Sequence, residues 1–186
     1  MIRTNDDFLD FFEHKINSDF EEKTFAAGDI IIKQDSYIKN ILLVKSGLLK
    51  CSRFDNDGIE FVQEFFSTGE ILGEIETIIS NSETKTIAEV QAITEVVCYK
   101  ISLATFQNLI FENTEFNGLL LKMLANKIRY KALRYSFMQT HTLAQNIAEI
   151  TKSYPNILSV IHKNDLANYF GVTLRSLNRS LKDFAE

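Results

Sequence analysis

The pattern of hydrophobic and polar positions divides the chain into two parts. In residues 25–101, short runs rich in β-branched and aromatic residues alternate with turn residues. Residues 40–54 form one such run, which is followed by Asp-Asn-Asp-Gly at 55–58 and by a second run at 59–66. This order predicts a strand, a turn that tolerates positive φ, and a return strand. Two more strands are predicted in residues 84–101, and together the short strands predict an antiparallel jelly roll or barrel, called the β-roll below.

After Ser102 the hydrophobic period changes to that of helices. Residues 103–113 predict a short helix, and residues 114–139 predict a long one without a breaker after Gly118. The apolar positions of the long helix follow 3.6-residue spacing and are Leu120, Leu121, Leu124, Ile128, Tyr135 and Met138. Such a stripe packs against its own domain or against a copy of itself, and both interpretations can hold along different parts of the helix. The predicted fold class is therefore α+β.

The last part of the chain carries the most specific motif. Residues 165–170 predict a short helix, Gly171 permits a tight turn, and Thr173 is a good N-cap for the next helix, which buries Leu177 and Leu181. This spacing is typical of a helix-turn-helix, in which arginine contacts guanine edges and lysine contacts phosphate. The candidate DNA-contacting residues are Thr173, Arg175, Ser176, Asn178, Arg179 and Lys182. The alternative is an ordinary helical hairpin with a solvated basic face.

Charge supports the same division. Residues 1–112 carry 10 Lys/Arg and 20 Asp/Glu, whereas residues 113–186 carry 10 and 5. Only the basic second part is suited to a polyanion such as DNA. The first residues lack the apolar core of a signal peptide, and no apolar run reaches the length of a membrane span, so a cytoplasmic protein without membrane contact is expected.

The sequence contains few residues in arrangements that suit catalysis or metal binding. Cys51 and Cys98 lie in apolar, strand-like runs, which favours buried thiols over a disulfide or a metal pair. The three histidines, His14, His141 and His162, show no ligand spacing. No nucleophile and base are paired, and the clustered ligands of a cupin-type enzyme do not occur. The prediction is a protein that is not an enzyme and holds no metal or other cofactor.

The order of these parts resembles the Crp/Fnr family of bacterial transcription regulators. A β-roll with the Gly-Glu cassette of residues 69–76, a long central helix and a C-terminal helix-turn-helix cover residues 25–184 in that order. The segment ILGEIETI with the long basic helix is particularly similar to the YeiL-type branch. The resemblance implies a homodimer joined through Leu121, Leu124, Ile128 and Tyr135, which binds pseudo-palindromic promoter DNA and acts on RNA polymerase. It also implies three units, at residues 1–112, 113–139 and 140–186.

Two features differ from the family pattern at the DNA-binding end. The family's reading head continues into a two-stranded wing, whereas this sequence ends at Glu186. Either the sequence is a truncated form or the wing is absent, and a winged helix lacking most of its wing is expected. After the N-cap, the Crp-like Arg then Glu is replaced by Leu174 then Arg175, which predicts a different preferred DNA sequence.

The cassette differs from that of cyclic-nucleotide-binding relatives, where a Glu holds the ribose and an Arg holds the cyclic phosphate. By similarity Glu74 matches that Glu, and Lys85 is the only cation near the Arg position. A second carboxylate, Glu76, would repel a phosphate, and lysine lacks the bidentate fork of arginine. The degenerate pocket implied by the resemblance consists of Gly73, Glu74, Ile75, Glu76, Lys85 and Thr86. It is not expected to bind cyclic AMP.

Alternatives for this region stay open at the level of sequence. The favoured interpretation of residues 69–76 is a turn between strands that keeps the family geometry without its chemistry. The other interpretation of these residues is a pocket for an unknown small-molecule effector. An iron–sulfur sensor would need about four cysteines, which two distant ones do not provide. The rival to a DNA-binding regulator is a dimeric effector-sensing protein that has lost DNA binding.

Overall fold

The computed structural model describes residues 2–16, 20–80 and 83–185, and its strands form two facing sheets. The strands are β1 Ile2–Arg3, β2 Glu21–Phe25, β3 Ile30–Ile32, β4 Asn40–Ser46, β5 Leu49–Phe54, β6 Glu60–Phe66, β7 Ile71–Leu72, β8 Glu89–Ala92 and β9 Val96–Ser102. One sheet has the order β1-β6-β5-β8-β3 and the other the order β2-β9-β4-β7. Except for the parallel pair β1 and β6, neighbouring strands are antiparallel. The predicted β-roll is confirmed.

Eight helices are described beside the sheets. They are α1 Asp6–Lys15, α2 Glu74–Ser80, α3 Leu103–Glu112, α4 Thr114–Thr140, α5 Leu143–Ser153, α6 Ile157–Val160, α7 Lys163–Phe170 and α8 Leu174–Ala185. The short helix and the long helix predicted after Ser102 are confirmed as α3 and α4. Both have side-chain N-caps: Ser102 accepts a hydrogen bond from the Thr105 backbone, and Asn113 accepts one from the Phe116 backbone.

The predicted hairpin is confirmed, but the run that precedes its turn was predicted wrongly as one strand. β5 and β6 pair antiparallel, and the Asp55 carboxylate accepts backbone hydrogen bonds from Asp57 and Ile59 within the turn. Residues 40–54 instead form two strands in different sheets, and the chain turns at Gly47 with φ +103°. A side chain at Gly47 would collide with the backbone of Glu95, so glycine is required there.

Helix α1 was not predicted, although its sequence contains a signal for it. Phe8, Phe11 and Phe12 follow i, i+3, i+4 spacing, and all three are buried. Phe8 contacts Phe116 of α4 edge to face, with ring centroids 5.4 Å apart. The helix therefore closes the core between the β-roll and the first turns of α4.

The C-terminal helices pack directly on the β-roll. Val62 and Phe65 of β6 share one hydrophobic cluster with Leu166, Tyr169 and Leu177. Core contacts cross both 112/113 and 139/140, and the division of the chain at these positions stays a prediction. Across the described helices, none has both the length and the apolar character needed to cross a membrane.

Candidate functional site

A cavity of about 90 Å³ lies between the β-roll and α4, at the position of the Gly-Glu cassette. Of the predicted pocket residues, Gly73, Glu74, Ile75, Glu76 and Thr86 line it, together with Glu70, Ile71 and Leu72 of the cassette. Its other walls come from β5, β6, β8 and two lysines of α4. Ligand pockets usually measure about 300–1,000 Å³, so this cavity is small for a nucleotide.

The prediction of a simple turn between strands at residues 69–76 was wrong, because this segment contains β7 and the start of α2. Gly73 precedes the helix with φ +87°, and a Cβ there would lie 2.9 Å from the Ile38 side chain. Thr77 donates its hydroxyl to the Gly73 carbonyl at 2.9 Å and fixes the first turn. As a result Glu74, only 3% exposed, is held in the cavity wall.

Lys127 of α4 is the cation that faces Glu74. Its Nζ lies 2.6 Å from Glu74 Oε1 and 3.4 Å from Glu70 Oε2, and it donates to the Ile71 carbonyl at 3.0 Å. Burial alone would lower the pKa of the Lys127 ammonium, but the charges of Glu74 and Glu70 outweigh it and the pKa is raised. The lysine is therefore a charged, fixed part of the cavity wall. In the sequence it resembles any other member of the basic face of α4.

Arg3 of β1 supplies a second cation. Its guanidinium lies 2.6 Å from Glu70 Oε2 and 3.2 Å from Glu64 Oε2. Burial would lower the pKa of Arg3, but Glu64 and Glu70 outweigh it and the pKa is raised. No sequence signal indicates this contact, because Arg3 and Glu70 are 67 positions apart.

The cavity has more negative than positive groups. Its charged lining residues, among those described, are the cations Arg3, Lys127 and Lys131 and the carboxylates Glu64, Glu70, Glu74 and Glu76. Burial and the neighbouring charge of Glu74 raise the pKa of Glu76. Because Arg3 and Lys127 are already paired with buried carboxylates, neither is free to bind an incoming phosphate.

Lys85, predicted as the cation of the pocket, lies elsewhere. It is exposed, and its ammonium sits 5.8 Å from the ring centroid of Tyr37. The neighbouring Thr86 turns inward instead: its hydroxyl donates to the Lys33 carbonyl and accepts from the Ser36 backbone. Alternation of side chains along an extended segment places the two neighbours on opposite sides.

An apolar stripe runs along the outside of α4. Of the predicted dimer residues, Leu121, Ile128 and Tyr135 are 62–72% exposed, whereas Leu124 is half-buried and packs against the core beneath α1. The exposed positions Ala125 and Ala132 complete the stripe at alternating spacings of four and three residues. That spacing is typical of a two-helix seam, and the alanines permit close approach.

The C-terminal motif has the geometry of a helix-turn-helix. α7 ends at Gly171, which is left-handed with φ +66°, and the Thr173 hydroxyl caps α8 by accepting from the Ser176 backbone at 3.1 Å. Leu177 is fully buried beneath α8. Among the predicted DNA-contacting residues, Thr173, Arg175, Arg179 and Lys182 are exposed, and Ser176 and Asn178 are half-buried.

Comparison with known proteins identifies the sensor part first. Residues 22–113 match the model of the cyclic nucleotide-binding domain. No curated protein matches the sequence significantly.

The fold of the chain is that of Crp/Fnr family transcription regulators. FixK2 from Bradyrhizobium japonicum superposes with a TM-score of 0.74 at 15% identity, covering 90% of this chain and 85% of its own. A CRP/FNR family transcriptional regulator from Thermus thermophilus gives 0.73 at 16%, with coverages of 89% and 86%. The c-di-GMP-responsive regulator CLP from Xanthomonas campestris gives 0.71 at 15%, with coverages of 97% and 92%. At these identities the likeness establishes the fold, and the YeiL-type branch stays a prediction.

Proposed function

We propose that this protein is a homodimeric, DNA-binding transcription regulator of the Crp/Fnr type. The observation that carries the proposal is the capped helix α8, which presents Arg175, Arg179 and Lys182 to solvent after a left-handed turn at Gly171. Guanidinium groups at such positions suit guanine edges in the major groove, and ammonium groups suit phosphates. Its site of action is then promoter DNA in the cytoplasm, with RNA polymerase as a further partner, and it is not an enzyme.

The dimer is proposed to form through the apolar stripe of α4. A helix that exposes Leu121, Ile128 and Tyr135 on one face gains stability by burying them against a two-fold copy. Pairing of α4 would place two copies of α8 in one assembly, as a pseudo-palindromic DNA site requires.

Alanine variants of Arg179 and Lys182 distinguish contacts to DNA bases from contacts to phosphates. Arg179→Ala is expected to weaken binding to the preferred duplex by about 1–3 kcal/mol, because a bidentate base contact is lost. Lys182→Ala is expected to weaken all duplexes alike and to flatten the slope of log affinity against log salt by about one. Fluorescence anisotropy at two salt concentrations measures both effects.

The matched control is Lys39→Ala, which removes an exposed charge from the β-roll and is expected to leave both quantities unchanged. If Arg179→Ala weakens every duplex equally, Arg179 binds phosphate and does not read bases.

The sensor domain is proposed not to bind cyclic AMP or cyclic GMP, despite its family. A cyclic phosphate would have to displace Glu70 or Glu74 from the paired cations and would meet the charge of Glu76. Like charges at short range in a buried site are strongly unfavourable. The small cavity opposes the same ligands on steric grounds.

Millimolar cyclic AMP or cyclic GMP is therefore expected to leave the melting temperature unchanged. A ligand at 100 times its Kd that binds only the folded state adds about 2.7 kcal/mol, which for a chain of this size corresponds to roughly 5–10 °C. Differential scanning calorimetry resolves such a change easily. A saturable rise of several degrees with either nucleotide would show that the carboxylates reorganise to admit phosphate.

A further inference from the structure

We propose that Glu64 and Glu70, in the wall of the cavity, form a receptor for a planar guanidinium head group and that the chain's own Arg3 occupies this receptor as a tethered ligand. A free alkylguanidinium compound would compete for the same carboxylates. The proposal that this site binds a guanidinium is argued from the contacts described below. The proposal that such binding regulates the protein rests on the function proposed above.

Backbone hydrogen bonds on both sides of Arg3 fix its position beside the cavity. β1 pairs in parallel with β6, so that Arg3 lies beside Phe66, and the Ser67 backbone donates to the Arg3 carbonyl at 2.9 Å. Asn5 continues the attachment by donating to the Thr68 carbonyl at 2.8 Å. Gly69 lacks the side chain that would otherwise collide with the Asn5 carbonyl. The chain therefore holds the stem of Arg3 in place while its guanidinium lies in the cavity wall against Glu64 and Glu70.

The receptor has the parts that a guanidinium needs. The side chains of Glu64 and Glu70 are only 8% and 4% exposed, and both face the guanidinium. Two aromatic rings accompany them: the Arg3 guanidinium carbon lies 5.8 Å from the Phe66 centroid and 5.6 Å from that of Tyr130. Buried carboxylates with aromatic rings favour a planar, delocalised cation over a compact ammonium.

Arg3 does not use all the hydrogen-bonding capacity of this receptor. Among the described residues, Arg3 Nε has no hydrogen-bond acceptor, and Glu64 Oε2 accepts no hydrogen bond although the Arg3 guanidinium lies 3.2 Å away in an ion pair; both atoms are buried. A buried polar group without a partner is costly. In its tethered position Arg3 leaves these two atoms without hydrogen bonds, whereas a free guanidinium can change its orientation between the two carboxylates.

The same strand reaches the C-terminal helices. Tyr154 at the end of α5 donates its hydroxyl to the Ile2 carbonyl at 2.7 Å, and the Ile2 side chain packs against the cluster that holds α7 and α8. Displacement of Arg3 would loosen β1 and with it this contact. An alkylguanidinium ligand would thereby influence the helices proposed to bind DNA.

Chemical rescue of Arg3→Ala tests the proposal on the full chain. Methylguanidinium at millimolar concentration is expected to raise the melting temperature of Arg3→Ala saturably, by about 3–6 °C at ten times its Kd. Methylammonium at equal ionic strength is expected to raise it less, because it lacks the planar fork. The matched control is Arg53→Ala, which removes an exposed arginine from β5 and is expected to show no rescue.

Two further variants keep the test decisive. Adding Glu70→Gln to Arg3→Ala removes a receptor carboxylate and is expected to abolish the rescue. If Arg3→Ala is unfolded, recovery of the ellipticity at 222 nm on adding methylguanidinium is the readout, and Arg3→Met, which keeps the stem, provides a second background. Equal responses in Arg3→Ala and Arg53→Ala, or no response in either Arg3 variant, would overturn the proposal. A rescue confined to the Arg3 variants supports the receptor even if DNA binding fails.

Discussion

Replacing Lys127 by alanine is expected to destabilise the protein by about 3–5 kcal/mol, the usual consequence of removing one partner from a buried ion pair. Lys127 is the close cationic partner of Glu74 at 2.6 Å and the second cation near Glu70. Without it, Glu74 keeps its charge in a buried site or takes up a proton, and both outcomes cost free energy. Urea unfolding at fixed protein concentration measures the change.

The matched control is Lys122→Ala on the same helix. Lys122 pairs with Asp7 at 3.1 Å, but both side chains are mostly exposed, so the loss is expected to stay within about 0.5 kcal/mol. Combining Lys127→Met with Glu74→Gln removes both charges and is expected to recover part of the stability. If Lys127→Ala costs no more than Lys122→Ala, the buried network does not stabilise the sensor domain.

Ile128→Glu is expected to convert the proposed dimer to a monomer. Ile128 is 72% exposed in the single chain and lies at the middle of the apolar stripe. In a two-fold pair the introduced carboxylates would face each other near the axis, where like charges cost several kcal/mol. A rise of at least about 100-fold in the dimer Kd follows from a cost of that size. Sedimentation velocity over a range of concentrations measures it.

Asn126→Glu is the control for this variant, because it adds the same charge to α4 at an exposed position about 160° around the helix from Ile128. It is expected to remain dimeric. A parent protein that sediments as a folded monomer would contradict the assignment of the stripe to a dimer interface.

The elements that the sequence predicts well are those specified by neighbouring residues. The β5–β6 hairpin follows from the turn at residues 55–58, and α4 follows from its apolar period. The turn at Gly47 was missed because the apolar residues on its two sides were interpreted as one run, although Ser46-Gly47 is a local turn signal. Helix α2 was missed because it is short and exposes Ile75, Ile78 and Ile79, so its period does not mark a buried face.

The cavity could be located from the sequence but its chemistry could not. Gly73 and Glu74 mark its position through their resemblance to a known cassette. Its cations come from residues distant in the chain, and periodicity does not distinguish a lysine that faces a carboxylate from one that faces water. Lys127 therefore appeared equivalent to the exposed Lys122, and Arg3 lay outside every pattern.

Binding of the unmodified protein to duplex DNA decides whether the chain is a DNA-binding regulator. Selection from a random duplex pool is expected to yield a pseudo-palindromic site that binds two protomers per duplex, with affinity that falls steeply as salt increases. The mass of the complex gives the number of protomers per duplex, and the affinity at two salt concentrations gives the salt dependence. Failure to select any sequence, with no binding at low salt and micromolar protein, would contradict the account. It would favour a dimeric effector-sensing protein that has lost DNA binding.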